Sequence, residues 1–160
     1  MRAAVISIST SKSHGEGEDA GGDALERFAL GLGAELAGRD LITDDPELIR
    51  KRLLHWADAH AVDLILTTGG TGFSPTDFTP EATRAVIERD APGIAEAMRS
   101  ASREFTRHWM LSRGVAGIRG ASLIVNFPGS PKSISEAGAA IAQSLPHAVE
   151  LIAGHRSAHS

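Results

Sequence analysis

Cysteine and tyrosine are both absent from the 160 residues. Without cysteine there is no disulfide framework, no thiolate metal site and no thiol nucleophile. Two tryptophans and five phenylalanines leave little for an aromatic surface that stacks nucleobases. A formal net charge of −4 argues further against a nucleic-acid binder working through a basic face. No apolar run approaches the roughly 18 residues of a membrane span. The start, Met1 to Ile8, has one basic residue and too short an apolar stretch for a secretory signal. The seven histidines, at 14, 55, 60, 108, 147, 155 and 159, form no His-x-His pair, and the one His-x-x-x-His spacing, His155 and His159, falls in the terminal tail, so histidine-bound zinc and histidine-triad catalysis have little support. A cytoplasmic protein with no membrane or nucleic-acid partner is the expectation.

What is present is ordinary globular material, 42% hydrophobic and 22% charged, in a length that suits one domain. We read residues 1–154 as that domain and 155–160 as a flexible tail. Short β-branched apolar runs at Ala3 to Ile8, Leu41 to Thr43, Leu64 to Thr67 and Leu123 to Phe127 read as strands. Helical faces alternate with them: Leu25, Phe28, Ala29, Leu32 and Leu36; Leu48, Ile49, Leu53 and Trp56; Ile94, Ala97, Met98, Ala101 and Phe105; and Ile134, Ala137 and Ile141. Helices are expected over Asp23 to Leu36, Pro80 to Arg89, Ile94 to Phe105 and Leu145 to Ala153. Val115 to Arg119 and Ser122 to Phe127, separated by Gly120-Ala121, read as a hairpin. The pattern predicts a three-layer α/β/α sandwich, Rossmann-like, whose mostly parallel sheet carries an antiparallel pair at one side.

The stretch Leu64 to Thr83 stands out. A short apolar run is stopped by Gly69, Gly70, Thr71 and Gly72, and Asp77 follows between Pro75 and Pro80. Such glycines let backbone amides turn toward a ligand, although a tight turn alone would also use them. Pro75 stands where a dinucleotide fingerprint needs its third glycine, and the Gly-Lys-Ser/Thr ending of a P-loop is missing. Thr79 reads as the N-cap of the next helix with Pro80 at its first position. Other strand ends deliver Ser9-Thr10 and Pro128-Gly129-Ser130. The rest of the first loop, Ser11 to Glu18, reads as a solvated connection. Asp19 is either a helix cap or a site residue, and Asp44 and Asp45 compete to cap the helix that Pro46 opens. Carboxylates and small polar loops at strand ends, with no activated nucleophile, suit phosphoryl-type transfer, in which positioning and charge neutralisation supply most of the catalysis. Magnesium takes oxygen ligands, commonly one or two carboxylates plus phosphates and water.

Gly69-Gly70-Thr71-Gly72 with Asp77-Phe78-Thr79-Pro80-Glu81-Ala82 resembles the molybdopterin adenylyltransferase family, the MogA/MoaB-type proteins with the N-terminal domain of gephyrin. Leu111-Ser112-Arg113 and Pro128-Gly129-Ser130-Pro131-Lys132 are similar to further family motifs, so the likeness runs from about Ala3 to Gly154. Asp44 matches the acidic residue that follows the family's second strand, with Thr43 where proline is common. Ser9, Thr10, Asp19 and Gly21 fit the family's first loop. The resemblance implies a molybdopterin-binding-type fold and transfer of AMP from ATP to the terminal phosphate of molybdopterin, with release of pyrophosphate. It implies Asp44 and Asp77 as catalytic magnesium ligands, and Ser9, Thr10, Asp19, Gly69, Gly70, Thr71, Gly72, Ser112, Pro128, Gly129, Ser130 and Lys132 as substrate contacts. It also implies a homotrimer, with Trp109 and Met110 as a candidate contact, and a molybdenum insertase as partner. Thr76 departs from the arginine that many members carry there, leaving Lys132 or Arg113 to supply a cation. The alternatives are a non-catalytic pterin-binding protein of the same fold and a nucleotide hydrolase of the competence/damage-inducible type.

Overall fold

The computed structural model describes residues 1–154, and the tail expected at 155–160 lies outside the described residues. In chain order, β1 (Arg2–Ile8) is followed by one helical turn, α1 (Thr10–Ser13), and by α2 (Ala20–Gly31). β2 (Glu35–Ile42) leads to α3 (Pro46–Leu54), and β3 (Leu64–Thr68) leads to α4 (Thr79–Arg84). A two-residue strand, β4 (Arg89–Asp90), precedes α5 (Pro92–Ser102). The chain finishes with β5 (Ala116–Arg119), β6 (Ser122–Phe127), α6 (Pro131–Ile141) and α7 (Ser144–Ile152).

The strands form one sheet in the order β2-β1-β3-β6-β5-β4. The first four are parallel; β5 runs antiparallel to β6, and β4 antiparallel to β5. The expected mostly parallel sheet and its hairpin are therefore present. Helices cover both faces, which is why β1, β3 and β6 read as continuous apolar runs and not as alternating ones. Val5, Leu64, Leu66, Val125 and Phe127 pack with Leu25, Met98 and Ile134 on one face. Ala4, Ile6, Ile65 and Ile124 pack with Ile49, Leu53, Trp56 and Val86 on the other. Phe127 is fully buried, and its ring centroid lies 5.2 Å from that of Phe28.

Several expected boundaries move, each for a local reason. Thr10 to Ser13 is a helical turn and not loop, because the Ser9 hydroxyl accepts from the Lys12 N–H and caps it. The helix expected from Asp23 to Leu36 is α2 instead; it stops before Gly33, which sits at φ +83°, and Leu36 passes to β2. Thr79 is not a cap: its hydroxyl donates to Gly69 O (2.9 Å), and its N–H donates to Gly70 O. The helix expected up to Arg89 ends at Arg84, and Arg89 and Asp90 pair with Gly117 and Ile118 as β4. The helix expected from Ile94 to Phe105 begins at Pro92 and ends at Ser102. Trp109–Leu111 forms a 3-10 turn.

One buried amide ties the sheet to its neighbours. Asn126 of β6 donates through Nδ2 to the hydroxyls of Thr67 in β3 and Thr83 in α4, and its Oδ1 accepts from the Val115 N–H ahead of β5. Burial of this polar group is tolerated because its amide is hydrogen-bonded on both sides. Truncating Phe127 to alanine removes the largest fully buried ring; a loss of about 3–5 kcal/mol is expected, read as a lower urea midpoint with an unchanged slope.

Candidate active site

Ile8 lies opposite Ile42, Ser7 opposite Thr68, and Thr68 opposite Phe127. Strands β2, β1, β3 and β6 thus end at one level, and their following loops share one edge of the sheet. From β1 the chain goes outward to β2 and then returns on the other side of β1 as β3, so the strand order reverses between β1 and β3. In open α/β sheets the ligand crevice lies at such a reversal, outside the carboxyl ends of the strands.

Gly69 occupies that point at φ +95°, and a Cβ built there would lie 2.2 Å from the carbonyl oxygen of Ile8. Gly70 follows at φ +66°; its Cβ would lie 2.3 Å from the Thr79 hydroxyl and 3.3 Å from Asp44 Oδ1. Both positions need a left-handed backbone and have no room for a side chain. Asp44 stands just beyond β2. Its Oδ2 accepts from the Thr10 N–H (3.0 Å) and the Thr10 hydroxyl (2.9 Å), and its own N–H donates to Thr10 Oγ1 (3.0 Å). The competition between neighbours resolves cleanly, because Asp45 caps α3 by accepting from the Glu47 N–H (3.0 Å).

The far end of the glycine loop meets Asp77. A Cβ on Gly72 would come 2.9 Å from Asp77 Oδ2, which accepts from the Ser74 N–H at 3.0 Å. The Thr71 carbonyl accepts from the Arg113 N–H at 2.8 Å. The Arg113 guanidinium donates to Gly72 O, to Asp77 O and to the Glu81 carboxylate. That hydrogen bond from Arg113 holds the Glu81 carboxyl below its ordinary range. The loop therefore touches one carboxylate at Gly70 and the other at Gly72. Carboxylate oxygens such as these are the donor type that magnesium takes beside waters and phosphate oxygens.

Ser9, Lys12, Asp19, Gly21, Gly69 and Gly129 line a cleft of about 350 Å³ beside these groups. Asp19 accepts from the Gly22 N–H (3.0 Å), capping α2, and from Arg39 Nη2 (2.8 Å), so it is both cap and cleft residue. Burial disfavours its charge, but the hydrogen bonds from Arg39 and Gly22 outweigh this and hold its carboxyl below the usual value. A smaller cavity of about 110 Å³ adjoins, lined by Ser112, Pro128, Asn126 and Trp109 among others. Ser130 turns its hydroxyl to α6, accepting from the Ser133 N–H as a cap. Lys132 is apart from these groups, its side chain 84% exposed and its ammonium 3.9 Å from Glu136 on the same helix.

Lys12 is the cleft residue that sequence reasoning passed over. Its ammonium donates to the carbonyl of Glu16 (3.2 Å), and no carboxylate lies within ion-pair distance of it among the described residues. A cation two positions beyond Ser9-Thr10 was the available signal. Arg39 was also missed, because a basic residue in an edge strand normally reads as solvated.

Fold and crevice together define an α/β domain with a cleft at the switch point between β1 and β3. The chain belongs to the molybdopterin-binding domain family, whose model, described as probable molybdopterin binding domain, matches residues 4–147. It is 40% identical over 153 residues to the molybdopterin adenylyltransferase of Helicobacter pylori strain J99, covering 94% of this chain and 87% of that protein. It is 44% identical over 139 residues to the molybdopterin adenylyltransferase of Escherichia coli K12, covering 85% and 71%. The crystal structure of the molybdopterin biosynthesis enzyme MoaB from Thermus thermophilus superposes with a TM-score of 0.90 at 44% identity, with 96% of each chain covered.

The depressed Asp19 carboxyl gives a pH-dependent contribution to stability. It is fully present above the ordinary aspartate value of 3.8 and is lost as pH falls through the lower folded value. Asp19→Asn keeps the cap but removes the charge facing Arg39. The variant should be less stable than the parent at pH 7 and converge with it toward pH 2, measured as urea midpoints across that range.

Proposed function

We propose that the protein is a molybdopterin adenylyltransferase, a nucleotidyltransferase of molybdenum cofactor biosynthesis that uses ATP and magnesium. The observation that carries this reading is the pair Asp44 and Asp77, which follow separate strands and lie against Gly70 and Gly72 of one glycine loop. An oxygen of the molybdopterin phosphate attacks the α-phosphorus of ATP; the bond from that phosphorus to the bridging oxygen breaks, and pyrophosphate leaves with the electron pair.

This chain's own groups bind and orient. Asp44 and Asp77 would hold the magnesium, which when bound supplies positive charge to the phosphate oxygens. Glycine-loop amides from Gly69 to Gly72 donate to those oxygens. Lys12 supplies the cation on the cleft side, a place left to it because Thr76 is neutral and the Arg113 guanidinium is bound to the glycine loop. Ser9, Thr10, Asp19 and the loop Pro128-Gly129-Ser130 wall the cleft, and Ser112 with Pro128 faces the smaller cavity, which suits the pterin ring. Cofactor synthesis fits a cytoplasmic setting, and among the described residues no helix is long and apolar enough to cross a membrane. A homotrimer completes the reading. Met110 and Phe105, near Trp109 in the chain, are 57% and 53% exposed and are apolar groups available for the contact, and a molybdenum insertase is the downstream partner.

Asp44→Asn and Asp77→Asn should each lower pyrophosphate release by at least about a hundredfold with molybdopterin and ATP both present, with the fold intact. Asp45→Asn, which retains the cap of α3, should remain close to the parent. Near-normal turnover of both site variants at saturating magnesium would reject the assignment. Sedimentation at micromolar concentration should give three times the monomer mass, and a species at 16.8 kDa would reject the trimer.

A further inference from the structure

The segment from Thr71 to Asp77 is fastened from outside by a single side chain. Arg113 sits on the strap between the Trp109–Leu111 turn and β5. Its Nε donates to Gly72 O (2.7 Å), its Nη2 to Asp77 O (2.8 Å), and its Nη1 to the Glu81 carboxylate in α4. Its backbone N–H adds the bond to Thr71 O. The strap is gripped in turn by Arg99 of α5, whose Nη1 donates to Ser112 O (3.4 Å) and Gly114 O (2.8 Å), on either side of Arg113. The two loop carbonyls held by the guanidinium belong to Gly72, which faces the Asp77 carboxylate, and to Asp77 itself.

A planar guanidinium with a fixed fork of donors can serve three acceptors in set directions at once; a lysine ammonium is a point charge on a flexible stem and cannot. We propose that Arg113, with Glu81 as its counter-charge and Arg99 steadying its strap, is a positioning residue that fixes the backbone from which Asp77 presents its carboxylate to the metal, and that it does not bind the polyphosphate itself. This rests on the magnesium reading of Asp77. The strap that carries Arg113 also walls the smaller cavity through Ser112 and Gly114, beside Arg99 of α5, so the pterin end and the metal end of the site share one tether.

The test compares full-length Arg113→Lys and Glu81→Gln with the parent and with Asp77→Asn. Hydrogen exchange without metal should show faster exchange of the 72–77 amides in Arg113→Lys, and to a lesser degree in Glu81→Gln, with the β3 amides unchanged. Manganese binding in the presence of ATP, followed by electron paramagnetic resonance, should weaken by about tenfold in Arg113→Lys, the scale seen when a group that orients a metal ligand is lost. Adding Arg113→Lys to Asp77→Asn should weaken it no further. Unchanged exchange and unchanged manganese affinity would overturn the proposal, as would a raised KM for ATP alone, which would make Arg113 a nucleotide contact. If Asp77→Asn binds manganese like the parent, the metal assignment of Asp77 fails; the exchange result then still supports or overturns the clamp on its own. Should Arg113→Lys not fold, Glu81→Gln gives the same two readings.

Discussion

The site depends on how closely two pieces of backbone pass at the reversal of strand order. Gly69 crosses the end of β1 with its Cα hydrogen where any other residue would drive a methyl group to 2.2 Å from the Ile8 carbonyl. That approach lets the chain leave β3 sideways across the sheet edge and not onward past it. The loop then runs between the end of β2, where Asp44 waits, and the start of α4, where Thr79 receives it with two hydrogen bonds. The loop beyond, which carries Asp77, starts from this close passage of backbone on backbone.

Around that crossing the polar groups are spent on one another in a definite division of labour. Arg39 is surrounded by Asp19, Asp23 and Glu26 on the α2 side. Arg113 is used up on carbonyls and Glu81, and Arg99 on carbonyls alone. Three of the positive charges nearest the cleft are therefore structural. On the proposed reading, an incoming polyphosphate would meet glycine amides, the Lys12 ammonium and a metal held by the two carboxylates. Preorganised dipoles of this kind stabilise charge without having to rearrange when it arrives.

How far the sequence could be read follows the same line. The layers, the parallel strands and the hairpin were visible, because buried parallel strands must be short unbroken apolar runs and the helices between them must show a stripe. Asp44, Asp77 and the glycines stood out through the family motifs they resemble and not through their spacing alone, since a tight turn or a helix cap would use the same residue types. Thr79 misled: threonine before Pro-Glu is the usual signature of a cap, and only the folded loop shows its hydroxyl turned back to Gly69. Arg113 could be noticed as a motif residue but not as a clamp, since its acceptors are backbone carbonyls some 40 positions away, and main-chain oxygens leave no mark in a sequence. Lys12 was hidden by its company, a run of serines, glycines and acids that reads as a solvated loop until Ser9 caps it into a helical turn.

The margins of the sheet carry a consequence of their own. Unpaired strand edges are templates on which other chains can add, and proteins suppress this with short or charged edge strands. Here one margin is β4, two residues long, and the other is β2, which carries Arg39 and Asp40, each tied into ion pairs with neighbouring helices. Neither offers a long, flat, apolar ribbon. Concentrated solutions of the folded chain should therefore resist the edge-to-edge stacking that leads to fibres, whatever symmetric assembly the remaining surface supports.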